Sequence, residues 1–171
     1  MSAPTVVPAS VDVEEIVVNI ADFAVASGAS VLTTAGLGSC VAVALHDPST
    51  GIAGLAHILL PSAGFGPPSI HPAKYADTGV ALLAEELRRR GAAQHRVVAK
   101  LVGGARMFAA LISSGVNMGQ RNIDATRKAL YKLNIPVVAE DVGGEYGRSV
   151  RLVAATGVLT VRSIAGGDRE L

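Results

Sequence analysis

Residues 40–58 read CVAVALHDPSTGIAGLAHI. Two apolar runs, Cys40 to His46 and Ile52 to Ile58, flank Asp47-Pro48-Ser49-Thr50-Gly51, whose residue types favour a turn. The connection is short enough for a hairpin, so the strand carrying Cys40 is expected to lie antiparallel to the strand carrying His57. A thiol and an imidazole on adjacent strands can meet, and this pair organises the rest of the reading.

Working outward, further β-branched or apolar runs stand at Ile16 to Ile20 and Val31 to Thr34, bounded by Gly28, Gly36 and Gly38. Residues 1–14 offer nothing periodic to bury and are expected to form a flexible extension, with one domain over 15–171. Downstream, Ser62 to Pro72 (SAGFGPPSIHP) is too rich in Gly, Pro and Ser for regular structure. Ala76, Val80, Leu83 and Leu87 recur at helical spacing before a stop at Gly91. Val97 to Val102 reads as a buried strand, followed by a short helix with Met107, Phe108, Leu111 and Ile112 on one stripe, ending at Gly115. A third helix is expected to be capped by Asn122 and to bury Ile123, Leu130 and Leu133. Strands at Pro136 to Glu140, Val150 to Ala154 and Val158 to Ile164 close the chain, the last two joined by a hairpin at Thr156-Gly157. The order predicts a single-domain, layered α/β sandwich with a mixed, largely antiparallel sheet covered by helices.

Composition narrows the function. The 171 residues are 50% hydrophobic and 17% charged, with a net charge of +1, three Tyr, three Phe and no Trp. That gives neither a cationic grip on a phosphate backbone nor platforms for stacked bases, so nucleic acid is not an expected partner. One Cys forbids an internal disulfide, and no Cys/His cluster has zinc spacing. Residues 1–73 hold five acidic groups and no Lys or Arg. The uncharged, then acidic start lacks the basic region of a secretory signal, and no apolar run is long enough to span a membrane, so the expected location is the cytoplasm, with no membrane insertion.

The most informative turn is Thr34-Ala35-Gly36-Leu37-Gly38-Ser39-Cys40. Glycines let backbone approach a substrate, and amide N–H groups in such a turn can face the oxyanion formed when a nucleophile attacks a carbonyl. A lone Cys is also a common packing residue. A nucleophilic role needs a base, because an ordinary thiol is mostly protonated at neutral pH. His57 sits in an apolar run on the partner strand and is either that base or a hydrogen-bonded core residue. Thr34 can fix its tautomer. Gly36-Leu37-Gly38 is not a dinucleotide fingerprint, since Val41 replaces the third glycine and a strand follows. Gly103-Gly104 and Gly143-Gly144 read as tight connections.

Taken in order, GLGSCVAVALHD (36–47), GLAHILLP (54–61), KYAD (74–77), VGGARMF (102–108), RNI (121–123) and AEDVGGEYGRSV (139–150) resemble the chemoreceptor glutamine deamidases of bacterial chemotaxis, the CheD family. The resemblance implies an α/β sandwich and a cysteine amidohydrolase. It implies that Cys40 attacks glutamine carboxamides on the cytoplasmic helices of chemoreceptors, His57 acts as base and then acid, Thr34 orients His57, and the Ser39 and Cys40 amides hold the oxyanion. No metal or organic cofactor is implied. Members of that family also hydrolyse receptor methyl esters, and some bind a CheC-type phosphatase. The N-terminal extension, FGPPSIHP (65–72), Gln120 and Glu145 depart from the family pattern, whereas Gly103, Gly104, Asn122, Asp141 and Gly143 match it and are expected to shape the pocket. Two other readings stand beside it: a non-enzymatic chemotaxis regulator that binds a phosphatase or receptor, and a cysteine hydrolase of small amides or esters.

Overall fold

The computed structural model describes residues 13–107 and 115–171. The short helix expected from Met107 to Ile112 lies, but for Met107, outside the described residues, as do the first twelve residues of the expected extension.

Strands β4 (Val41–Asp47) and β5 (Ile52–Ile58) are buried at every position. A strand apolar on both faces needs a cover on each side, and the fold supplies two different ones. The first is a pair of helices, α1 (Ala76–Arg89) and α2 (Met118–Lys132). Val80, Leu83 and Leu87 of α1 and Ile123 and Leu130 of α2 share a core with Val41, Val43, Leu45 and Ile58. The second is another sheet. It buries Leu32, Leu152, Leu159 and Val161 against Cys40, Ala42, Ala44, Leu55 and Val102.

The central sheet has the order β2-β5-β4-β6-β7, with β2 Phe23–Ser27, β6 Val98–Gly103 and β7 Val137–Val142. The outer sheet has the order β1-β3-β8-β9-β10, with β1 Glu15–Val17, β3 Val31–Leu37, β8 Arg148–Val153, β9 Leu159–Ser163 and β10 Gly167–Glu170. Only β1 with β3 and β6 with β7 run parallel among the paired strands. The expected mixed α/β sandwich is therefore present, with one difference. Its strands divide between two sheets, and the helices cover only the central one.

The hairpin of residues 40–58 forms as expected, with Ala42 opposite His57 and Asp47 opposite Ile52. Asp47 does more than turn the chain. Its buried carboxylate accepts hydrogen bonds from the Ser49 and Ala93 amides and two from Arg96, at 2.8 and 3.0 Å. Asn122 does not cap α2. Asn117 does, its side chain accepting from the Gln120 amide at 3.0 Å, because the helix begins five residues earlier than the apolar stripe suggests. Asn122 instead lies inside the helix and is fully buried.

Candidate active site

Ala42 and His57 are cross-strand partners, and strand side chains alternate in direction. Cys40, two residues before Ala42, therefore falls on the face that His57 uses, toward the outer sheet and diagonal to it, within reach of a long side chain. Thr34 approaches from β3 of the opposing sheet. Its Oγ1 lies 2.8 Å from His57 Nδ1 and donates to the Val18 carbonyl at 2.7 Å. All three residues are buried: Thr34 is 3%, Cys40 7% and His57 0% exposed.

These two short contacts settle the imidazole tautomer. A hydroxyl has one proton, and Thr34 gives it to Val18. Toward His57 it can only accept, so Nδ1 carries the ring proton and Nε2 keeps its lone pair. Nε2 is buried with no hydrogen-bond partner among the described residues. An unpaired imidazole acceptor in a dry interior is costly unless another group uses it. Burial also pushes the His57 pKa down to about 4, so the ring is neutral at physiological pH. The Cys40 thiol is pushed up, chiefly by burial, while its own backbone N–H works the other way. At rest the thiol and the imidazole are thus both neutral, and no hydrogen bond joins them.

The turn that carries Cys40 is fixed on several sides. The Ala105 amide donates to Gly38 O at 2.8 Å, and the Gly104 amide donates to Cys40 O at 2.7 Å. Asn122 Nδ2 donates to Ser39 O at 2.8 Å and to Leu59 O at 3.1 Å. Gly103 has φ +111°, and a Cβ there would collide with the Cys40 carbonyl oxygen. A Cβ on Gly119 would collide with the carbonyl oxygens of Gly104 and Ala105, so α2 can start against this loop only through glycine. Asp141 and Arg148 form a buried ion pair at 2.9 Å, and Arg148 also donates to Gly143 O. The segments 36–40, 103–106, 119–122 and 141–148 thus converge on one corner.

Among the described residues, a cavity of about 260 Å³ is lined by Thr34, Ala35 and Arg151 and does not include Cys40 or His57. Among the described residues, no three His, Cys, Asp or Glu side chains group as metal ligands. None of their helices is long and apolar enough to cross a membrane.

Sequence reading had no signal for Val18, which acts through its backbone. Asn122 did have one. It shares the buried face of α2 with Ile123, Thr126 and Leu130, and a polar side chain on an apolar stripe points to a specific hydrogen bond.

The family model described as CheD chemotactic sensory transduction matches residues 59–163, more than half of the chain. The chain belongs to the CheD family. Among CheD proteins, the probable chemoreceptor glutamine deamidase CheD of Caldanaerobacter subterraneus subsp. tengcongensis is 45% identical over 155 residues, covering 90% of this chain and 96% of that one. The chemoreceptor glutamine deamidase CheD of Thermotoga maritima is 44% identical over 153 residues, covering 90% and 94%. That of Halalkalibacterium halodurans is 42% identical over 156 residues, covering 90% and 96%. The match of the CheD model begins after His57, so Thr34, Cys40 and His57 lie outside it.

Proposed function

We propose that this protein is a cysteine-dependent amidohydrolase that converts glutamine side chains on the cytoplasmic helices of chemoreceptors to glutamate. Three relatives named as chemoreceptor glutamine deamidases, each spanning nine-tenths of the chain, support the substrate class. The observation that carries the chemistry is the Thr34 hydroxyl, held between Val18 O and His57 Nδ1, which leaves Nε2 as an acceptor on the face shared with Cys40.

In the proposed reaction, Cys40 Sγ attacks the carboxamide carbon while His57 Nε2 takes the thiol proton. The negative charge that develops on the carbonyl oxygen is met by the Ser39 and Cys40 amides. His57 returns the proton to the amine, the C–N bond breaks, and ammonia leaves a thioester. Water adds to the thioester with its proton passing to His57. The C–S bond then breaks, and the proton returns to Cys40. The net change is one amide and one water to one carboxylic acid and one ammonia.

A second reading has its own support. Cys40 is 7% exposed and its thiol is pushed up by burial, as suits a protein that binds a receptor or a CheC-type phosphatase without turnover. Slow alkylation of the resting thiol fits both readings, so turnover is the discriminator. The test incubates the full chain and Cys40→Ala with receptor cytoplasmic fragments and measures glutamine-to-glutamate conversion by mass spectrometry. The enzymatic reading expects conversion with the natural chain and none with Cys40→Ala; equal conversion, or none with either, overturns it.

A further inference from the structure

The trans peptide bond couples each carbonyl to the following amide. Because the unit is planar, a C=O held on one side sends the next residue's N–H to the other. Among the described residues no peptide is cis. Two consecutive carbonyls of the Cys40 turn are held from a single corner. Gly38 O accepts from the Ala105 amide, and Ser39 O accepts from Asn122 Nδ2, each at 2.8 Å. Ala105 and Asn122 belong to one corner because Gly119, one turn before Asn122, packs against the carbonyls of Gly104 and Ala105. The N–H groups of Ser39 and Cys40 are therefore turned away from that corner together. Successive amides aimed one way form an anion-binding nest. Neither amide takes part in a backbone hydrogen bond among the described residues.

Asn122 also reaches the other half of the site. Its second hydrogen bond goes to Leu59 O, two residues after His57 and just past the end of β5. Cys40 and Leu59 each continue the β4–β5 register by one position, so this one side chain bridges the two strands where their regular ladder stops. Its own Oδ1 is left buried with no partner among the described residues. A side chain kept for packing alone would not strand a polar atom in the core.

We propose that Asn122 is a positioning residue of the proposed deamidation, which this inference presupposes. Through Ser39 O it orients the Cys40 amide, and with Ala105 it completes a two-amide oxyanion site. The environment of the sulfur agrees, since the Cys40 N–H lies where it favours the thiolate.

The test separates carbonyl chemistry from thiol reactivity. Deamidation of a receptor fragment passes through an oxyanion, whereas alkylation of Cys40 by iodoacetamide is a displacement at carbon that forms none. For Asn122→Ala, kcat for deamidation is expected to fall about 10- to 10²-fold with KM changed by less than about threefold. At a pH where the thiol is fully ionised, the alkylation rate is expected to match that of the natural chain. Asn122→Ser, which keeps one donor, recovers part of kcat and carries the test if Asn122→Ala does not fold. Unchanged kcat in a folded variant overturns the proposal. So does a loss of that alkylation rate as large as the loss of kcat, which would mean general loosening of the site. A natural chain that does not deamidate the fragment overturns the hydrolase reading itself, and the two failures are distinguishable by that arm.

Discussion

In the proposed reaction the Thr34 hydroxyl does for His57 what a carboxylate or carboxamide does in cysteine and serine hydrolases, with no charge of its own. Thr34→Val keeps the shape and removes the oxygen, so the ring is free to adopt the other tautomer. Deamidation kcat is expected to drop about 10²-fold with little change in KM, while Thr34→Ser stays near the natural rate; equal losses in both would rule out the hydrogen bond as the cause. Burial also predicts a pH profile. His57 is a base only while neutral, and its pKa is held at about 4, so kcat/KM falls as the pH drops through about 4 rather than through the ordinary imidazole value near 6.5. An acid limb near 6.5 would show that the ring is solvated in the working enzyme. These residues were legible in the sequence by type: Cys40, His57 and Thr34 could be picked from a glycine-rich turn and a histidine in an apolar run. The tautomer was not, because it depends on Val18, whose carbonyl carries no side-chain signature.

Among the elements, the β4–β5 hairpin governs the site, since its register sets Cys40 and His57 on one face. Asp47 anchors its far end, beside the turn. Its carboxylate is fully buried and is held far below the usual range, above all by the hydrogen bonds from Arg96. A depressed carboxyl contributes its full stability above its unfolded pKa and loses it progressively as the pH falls from there to the folded value. Asp47→Ala is therefore expected to cost about 3 kcal/mol in urea unfolding, with the same loss at pH 5 and pH 8. A loss that shrinks between those two values would contradict the depressed pKa. The hairpin was readable because its turn residues and apolar runs agree. The start of α2 was not, because an Asn can cap a helix or lie buried within one, and only the tertiary fold buries Asn122. Strands β2 and β10 also escaped the sequence reading. FAVAS is rich in alanine and GDRE is wholly exposed, so each depends on its neighbour more than on its own pattern.

At the scale of the molecule, the central sheet is shared by two cores, one under the helices and one between the sheets. Sequence reading anticipated the layers but merged the strands into one sheet, since periodicity tells that a strand is buried on both faces and not what buries it. Sharing predicts cooperativity. Leu83→Ala on the helix side and Leu55→Ala between the sheets are each expected to cost about 2–5 kcal/mol and to move a single unfolding transition; two separable transitions would mean that the layers fold independently.

The central claim is that Cys40 becomes covalently bonded to its substrate. Its most direct test is the intact mass of the protein after mixing with a glutamine-containing receptor fragment and rapid acid quench. The account predicts an adduct at Cys40 equal to the fragment less ammonia, a deficit of about 17 Da, which is absent in Cys40→Ala. Conversion of glutamine to glutamate with no such adduct at any quench time, or an adduct on another residue, would contradict it.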